Sequence, residues 1–183
     1  MKSRIYIIDG QDRCGKSTTV NLLRKHIKNP KILVVHSSKP PSGVDVEDWT
    51  IAHYSEVVNN LQAMADEGWD IIMDRSWLGE SVYGPIYRNV DIGLSTLEDD
   101  CLPFKEDTER FKLLILVDDA SSIASRSDGE SMSDDLNMLE SERSGFKAAF
   151  EATSITSKEL IDWEYEEFSV KLLEQIVLEM ING

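Results

Sequence analysis

Apolar residues along this chain are concentrated in five short runs that are separated by stretches of helical periodicity. The runs cover residues 4–8, 31–36, 69–73, 113–117 and 158–162, and most are rich in isoleucine, leucine or valine. Strand-like runs that alternate with helical patterns are typical of parallel sheets. We therefore expect an α/β fold in which a five-stranded parallel sheet lies between two layers of helices.

The stretches between the runs predict helices with apolar stripes. The first predicted helix begins at Gly15 and ends near residue 28, before the helix-breaking pair Asn29-Pro30. The stripe of the second helix, which ends near Gly68, consists of Tyr54, Val57, Val58, Leu61 and Ala65. The stripe of the last helix, which we expect to pack on the sheet, consists of Phe168, Leu172, Ile176 and Met180.

The length and continuity of the chain favour one domain over residues 1–183, without internal repeats or low-complexity linkers. One segment differs from the rest in composition. Residues 125–135 are rich in serine and aspartate and contain a glycine, which predicts a mobile loop.

The first apolar run leads directly into a phosphate-binding pattern, Gly10-x-x-x-x-Gly15-Lys16-Ser17, and then into the first helix. In such a P-loop, glycines let backbone N–H groups turn toward an anion at the positive end of a helix. The lysine reaches the β- and γ-phosphates of the nucleotide, and the serine hydroxyl ligates Mg²⁺. The pattern therefore predicts a P-loop NTPase fold that binds ATP with Mg²⁺, and the expected phosphate contacts are Gly10, Gly15, Lys16, Ser17 and Thr18.

Charge narrows the range of partners. The 183 residues carry 34 acidic and 19 basic side chains, a formal net charge of −15, so a nucleic acid polymer is a poor ligand. A small nucleotide that arrives with Mg²⁺ remains compatible with this charge. Two cysteines are too few for a disulfide framework, and no apolar run approaches membrane-spanning length. We expect a cytoplasmic protein without a membrane partner.

Ligands of parallel sheets bind beyond the carboxyl ends of the strands. The third run ends in Asp74-Arg75, a carboxylate suited to Mg²⁺ through water and a guanidinium suited to a phosphate, although a surface ion pair is the plainer alternative. The fourth run ends in Asp118-Asp119, a second candidate for the metal that also suits the N-cap of the next helix. Prolines follow the second run. They either stiffen a loop that places Lys39 over the ligand site, or belong to an ordinary exposed turn.

Two groups of residues together resemble the thymidylate kinase family of nucleoside monophosphate kinases. One is the P-loop from Gly10 to Thr18, and the other is Asp74-Arg75 followed by Tyr83 and Arg88 at the family's spacing. The resemblance extends over nearly the whole chain in the order of its elements. It implies that ATP phosphorylates the 5′-phosphate of a deoxynucleoside monophosphate, and that the protein forms a homodimer.

On the donor side, the resemblance implies that Lys16 and Arg13 stabilise the transferring phosphoryl group. The resemblance also implies that residues 125–135 form a short lid. Arg126 stands at the start of this lid, and we expect it at the ATP phosphates. Ser17 and Asp74 are the expected protein groups at the metal.

On the acceptor side, the resemblance implies that Asp12 approaches the 3′-hydroxyl of the sugar, which suits a deoxyribose. Lys39 and Arg75 are expected to contact the acceptor phosphate. Tyr83 and Arg88 complete the expected substrate site.

Base recognition departs from the family pattern. Trp49 stands where the family has a phenylalanine that stacks on the base, and this exchange preserves stacking. His53 stands where an arginine reads the thymine carbonyl, and an imidazole cannot reproduce that fork of donors. Gly84 replaces a glutamine, which we expect to open space over the base. Thymine, a modified pyrimidine or another base therefore remain open, as do core packing for Trp49 and a solvated position for His53.

Two other functions remain open. A deoxynucleoside kinase, which phosphorylates a hydroxyl, would place a carboxylate base just after the second run, and residues 36–43 contain none. A catalytically silent nucleotide-binding regulatory protein would be free to lose Lys16, Ser17, Asp74 or Arg75, and all four are present.

Overall fold

The computed structural model describes residues 3–37, 39–101, 109–126, 132–164 and 167–183. Its strands are β1 (Ile5–Gly10), β2 (Ile32–His36), β3 (Asp70–Asp74), β4 (Phe111–Val117) and β5 (Lys158–Asp162). Its α-helices are α1 (Lys16–His26), α2 (Val46–Asp66), α3 (Trp77–Tyr83), α4 (Leu94–Cys101), α5 (Ala120–Ser125), α6 (Leu136–Ala152) and α7 (Val170–Asn182). A short π-helical turn over Gly84–Arg88 continues α3.

The strands pair in the order β2-β3-β1-β4-β5, and every pair is parallel. The α/β prediction with a five-stranded parallel sheet is therefore confirmed, and the predicted runs match the strands to within two residues at each end. Chain order reverses at the central strand, since β1 has β3 on one side and β4 on the other. A crevice beyond the carboxyl end of such a strand is the usual ligand site of this architecture.

Side chains of β1 alternate between two apolar cores, one on each face of the sheet. Ile5 and Ile7 belong to the core that α2, α3 and α6 cover. Tyr6 and Ile8 belong to the core that α1, α5 and α7 cover. The period of two that separates these pairs is that of a strand with helices on both faces, and it produces the predicted three layers.

The predicted stripe of α2 faces the core, with Tyr54, Val58, Leu61 and Ala65 buried and Val57 partly buried. The stripe predicted for the last helix was wrong at Phe168. The hydroxyl of Ser169 caps the helix, which begins only at Val170, so the phenylalanine lies outside it. Its ring is 42% exposed and packs edge-on against Trp163.

No helix in the part of the chain that the structure describes is both long enough and apolar enough to cross a membrane.

The end of β1 leaves no room for a side chain at Gly10. This residue has a φ of 122°, and a Cβ atom there would lie 2.0 Å from the carbonyl oxygen of Leu116. Gly43 also has a positive φ, of 85°, but no heavy atom lies within 4 Å of its Cβ position.

We predict that Gly10→Ala lowers the free energy of unfolding by more than about 3 kcal/mol, because a backbone clash adds to the conformational strain. Gly43→Ala should lower the free energy of unfolding by only about 1 kcal/mol, because the positive φ alone disfavours a side chain there. Urea denaturation of both variants checks this prediction, and equal losses would contradict it.

Candidate active site

A fully buried carboxylate at the end of β1 organises the neighbouring strand end. Asp9 Oδ2 accepts hydrogen bonds from the backbone N–H of Ser76 at 2.9 Å, the Ser76 hydroxyl at 2.8 Å and the Gly79 N–H at 3.2 Å. Asp9 Oδ1 accepts from the Gly10 N–H at 3.0 Å. Burial raises the pKa of Asp9 and these hydrogen bonds oppose the shift. The carboxylate therefore fastens the start of the P-loop to the turn after β3.

Sequence reasoning gave Asp9 no role, although a signal was present. A carboxylate that ends a run of isoleucines in a central parallel strand must be buried, and a buried charge needs several donors.

The side chain of Lys16 turns back toward the carbonyl oxygens of the P-loop. Lys16 is buried, and its Nζ donates to the carbonyl oxygens of Gly10 at 3.0 Å and Gln11 at 2.6 Å and to Asp12 Oδ1 at 3.2 Å. Helix α1 begins at Lys16, directly after Gly15, which has no side chain to cap it. The first N–H groups of α1 thus point toward the space where an anion binds.

A cavity of about 420 Å³ opens in front of the P-loop. Its lining residues are Asp12, Arg13, Gly15, Lys16, Ser17, Thr18, Asp74, Arg75, Arg126 and Phe168. All the predicted donor-side residues except Gly10 contribute to it, and Gly10 contacts Lys16 through its carbonyl. The sequence patterns gave no indication of Phe168 at this position.

The Asp12 carboxylate forms ion pairs with two cations that line this cavity. Its Oδ1 accepts from Lys16 Nζ and, at 2.6 Å, from Arg75 Nη2. Burial alone would raise the pKa of Asp12, but the positive charges of Lys16 and Arg75 outweigh burial, and the pKa is lowered. Arg75 has a φ of 69°, and its N–H bonds to the Ile8 carbonyl at 3.0 Å. The carboxylate thus holds both cations in position.

Asp74 and Ser17 line the same cavity and offer the oxygen donors that Mg²⁺ prefers. Asp74 Oδ2 lies 2.8 Å from Nδ1 of His36, which sequence reasoning did not include. The alternative ligand, Asp118, is buried and bonded to the guanidinium of Arg126. The described residues contain no cluster of three or more metal-type side chains. This donor set fits a Mg²⁺ that retains most of its waters.

Arg13 connects the P-loop to the region of the predicted lid. Its Nη1 donates to the Ile123 carbonyl at 2.9 Å, and its Nη2 contacts Asp134 Oδ1 at 2.8 Å. Asp134 belongs to the predicted lid segment 125–135, of which residues 127–131 lie outside the described residues. Arg13 has a φ of 63°, so the loop backbone is locally strained at this residue.

A second cavity, of about 320 Å³, lies beside the first. Its lining residues are Asp12, Ser37, Lys39, Tyr54, Arg75, Ser76, Gly79, Glu80, Tyr83, Arg88 and Met132. Four residues expected at the acceptor, Lys39, Arg75, Tyr83 and Arg88, meet here with Asp12. Sequence reasoning missed Glu80 and Met132. The Tyr83 hydroxyl donates to the Gly10 carbonyl at 3.3 Å, and burial raises its pKa well above the ordinary value.

The structure does not bring Trp49 and His53 to this cavity. Their positions one helical turn apart on α2 place the two rings against each other, stacked at 4.4 Å between centroids and 12° between planes. Burial lowers the pKa of His53, and its Nε2 has no hydrogen-bond partner among the described residues. The open space that we expected at Gly84 is occupied by the backbone of Val90. A Cβ atom at Gly84 would lie 2.6 Å from the Val90 carbonyl oxygen.

Solved structures share this fold at low sequence identity. A thymidylate kinase from Ehrlichia chaffeensis matches with a TM-score of 0.68 and 15% identity, over 99% of this chain and 100% of that chain. A thymidylate kinase from Candida albicans matches with the same TM-score and identity, over 99% and 92%. The YorR protein from Bacillus subtilis, solved in complex with phosphorylated GDP, matches with a TM-score of 0.65 and 18% identity, over 97% and 95%.

No protein-family model matches the chain, and no curated protein matches its sequence. The structural matches nevertheless establish a thymidylate kinase-like nucleoside monophosphate kinase fold.

Replacing Asp9 by Asn should lower the free energy of unfolding by about 2 to 3 kcal/mol, because an amide NH₂ would face N–H donors that need an acceptor. Asp70→Asn is the control, since Asp70 accepts one backbone hydrogen bond, from Arg4 at 3.0 Å, and should cost about 1 kcal/mol. Chemical denaturation of the two variants compares the losses. A loss at Asp9 no larger than that at Asp70 would exclude the organising role.

Asp162, at the end of β5, accepts from Arg143 at 2.8 Å and pairs with Lys147. Burial acts to raise its pKa, but these two cations outweigh burial and lower the pKa of Asp162 below the ordinary value of an aspartate. A carboxyl with a lowered folded-state pKa stabilises the protein above its unfolded-state pKa, and this stabilisation disappears as the pH falls through the folded-state pKa.

Asp162→Asn should therefore lower the free energy of unfolding by about 2 kcal/mol near neutral pH. Its difference from the native protein should shrink as the pH falls from the ordinary pKa of an aspartate through the lowered pKa of Asp162. Urea denaturation at several pH values measures this difference. A difference in unfolding free energy that does not change with pH would show that the charge of Asp162 does not stabilise the fold.

Proposed function

We propose that this protein is an ATP-dependent deoxynucleoside monophosphate kinase, which transfers the γ-phosphoryl group of ATP to the 5′-phosphate of a deoxynucleotide and releases ADP. The observation that carries the proposal is the junction of the two cavities. The P-loop cavity and the second cavity share Asp12 and Arg75, so a donor and an acceptor meet at these side chains. The thymidylate kinase-like fold supports the same activity.

Positive charge on both sides of the junction suits the transfer of a phosphoryl group between two phosphates. Lys16 and Arg13 lie on the donor side, Lys39 lies on the acceptor side, and Arg75 lines both cavities. In-line phosphoryl transfer depends mainly on positioning and on neutralising the negative charge that spreads over the transferred group. A Mg²⁺ held by Ser17 and Asp74 would neutralise part of the phosphate charge.

The acceptor cavity favours a monophosphate over a nucleoside. Lys39 and Arg75 offer cations to a phosphate, whereas a hydroxyl acceptor needs a carboxylate free to take its proton. The carboxylates that line this cavity, Asp12 and Glu80, are each bonded to an arginine, Arg75 and Arg88. Asp12, placed between the two cavities, is the residue that we assign to the 3′-hydroxyl of the sugar.

A coupled assay of ADP formation with Mg²⁺, across deoxynucleoside and nucleoside 5′-monophosphates beside the matching nucleosides, tests the activity. Turnover confined to monophosphates is the expected result. Turnover confined to nucleosides would indicate a deoxynucleoside kinase. Tight ATP binding without turnover on any acceptor would indicate a silent nucleotide-binding protein.

Within this assay, Lys16→Ala should lower kcat/KM by about 10³-fold or more, as the loss of a phosphate-neutralising cation does in related transfers. Lys25→Ala is the matched control, because Lys25 lies on the same helix but is exposed and pairs with Glu174. Its kcat/KM should stay within about twofold of the native value. Similar activities of the two variants would exclude the assigned role of Lys16.

A further inference from the structure

A histidine on the edge strand β2 bonds to the carboxylate that we assign to the metal. His36 ends β2, Asp74 ends β3, and the two residues are Cα partners in the parallel register. Paired residues of neighbouring strands carry their side chains on the same face of the sheet. The N–H of Ser37 bonds to the Asp74 carbonyl at 3.1 Å, so the two backbones remain paired up to this point. The sheet therefore holds the imidazole beside the carboxylate.

The direction of this hydrogen bond follows from the chemistry of its two partners. Nδ1 of His36 lies 2.8 Å from Oδ2 of Asp74. An ionised carboxylate only accepts hydrogen bonds, so Nδ1 carries the proton and donates it. The guanidinium of Arg75, the next residue, bonds to Asp12 instead. Among the described residues no other group donates to the Asp74 carboxylate, so Oδ1 keeps its capacity to accept.

The two residues that we assign to the metal lie where two cavities meet. Ser17 and Asp74 line the P-loop cavity, and both also line a groove of about 550 Å³ between α1 and β2. His36 lines this groove with 68% of its side chain exposed, whereas the Asp74 side chain is only 14% exposed. The groove adds space for metal-bound waters beside both residues, and Mg²⁺ usually retains several waters in such sites.

A single hydrogen bond can decide how a carboxylate serves a metal. The terminal torsion of an aspartate has no sharp preference, so an unrestrained carboxylate rotates. Hydrogen-bond partners outside the ligand shell fix that rotation, and their loss commonly weakens metal binding by about 10- to 100-fold. Among the described side chains, His36 is the one that restrains Asp74 in this way.

We propose that His36 is a positioning residue for Asp74, and that its Nδ1–H restrains the carboxylate so that Oδ1 accepts from the waters of a Mg²⁺ bound with the ATP phosphates. This inference rests on the proposed function for its metal site, but it concerns the binding of metal and nucleotide instead of turnover. It gives a role to a residue that belongs neither to the P-loop pattern nor to the Asp74-Arg75 pair.

The test measures what Mg²⁺ contributes to nucleotide binding. We define the metal gain as the Kd of a non-hydrolysable ATP analogue in EDTA divided by its Kd in Mg²⁺, both measured by calorimetry on the full chain. His36→Ala should lower the metal gain at least about threefold, which is less than for the partner of a direct ligand because Asp74 acts through metal-bound water. Its Kd in EDTA should stay within about twofold of the native value. An unchanged metal gain in a folded His36→Ala variant, or a native metal gain of one, would overturn the proposal.

Two further variants separate positioning from general damage. The side chain in His36→Asn carries an N–H on the atom equivalent to Nδ1, so it should restore the native metal gain. Asp74→Ala should lower the metal gain, and adding His36→Ala to it should lower the gain no further, because the two residues act through one hydrogen bond. Failure of the asparagine to restore the gain, or additive losses in the double variant, would contradict the positioning role.

His26→Ala is the matched control, because it removes a histidine from another carboxylate pair. Nε2 of His26 lies 2.6 Å from Oε1 of Glu174, at the end of α1 that is remote from the P-loop. This variant should keep the native metal gain, and thermal denaturation checks that every variant is folded. A loss of metal gain as large as that of His36→Ala would show that the effect is not specific to the strand end, and would overturn the proposal.

Turnover measured beside binding keeps this inference separate from the proposed function. A metal gain that is lowered in His36→Ala and restored in His36→Asn, without turnover on any monophosphate, would support the role of His36 and refute the kinase activity. Turnover of monophosphates with equal metal gains in the native protein and in His36→Ala would support the kinase activity and refute the role of His36.

Discussion

The geometry of the candidate active site depends on the need of one buried carboxylate for hydrogen-bond donors. Asp9 lies at the end of the central strand with no exposed surface, and an unpaired charge there would cost several kcal/mol. Its four accepted bonds come from the P-loop and from the turn that begins α3. Because Ser76 follows Arg75 directly, satisfying Asp9 also fixes the strained backbone from which Arg75 reaches the junction. Asp9 therefore links the P-loop to the turn that carries Arg75.

Asp12 is a second carboxylate that holds its hydrogen-bond donors in position, and it lines both cavities. It holds Lys16 and Arg75 near each other, and so it offsets the repulsion between two cations that both contact phosphates in the proposed reaction. Glu80 restrains Arg88 in a similar way in the second cavity. Carboxylates that orient cations before a phosphate arrives reduce the reorganisation needed during transfer, which is the main source of electrostatic catalysis.

Patterns along the chain were sufficient for the sheet, the P-loop and the residues at the strand ends, because each depends on local periodicity or on fixed spacing. They were insufficient where contacts between side chains, an irregular turn or a helix cap decide the geometry. The family resemblance assigned Trp49 and His53 to the base, whereas their rings stack on each other and do not line the second cavity. Glu80 and Arg88 lie eight residues apart, and only the π-helical turn brings them together in the cavity wall. Phe168 fits a helical stripe, yet the cap at Ser169 starts the helix after it.

The fate of a labelled γ-phosphoryl group distinguishes its transfer to a monophosphate from hydrolysis of ATP. The protein is incubated with Mg²⁺, ATP carrying a labelled γ-phosphate and a mixture of deoxynucleoside monophosphates, and the labelled products are separated by chromatography. We expect the label to appear in a deoxynucleoside diphosphate, and Lys16→Ala should lower the rate at which this product forms by about 10³-fold or more. Label found only in inorganic phosphate, or remaining in ATP, would exclude phosphoryl transfer to a nucleotide acceptor.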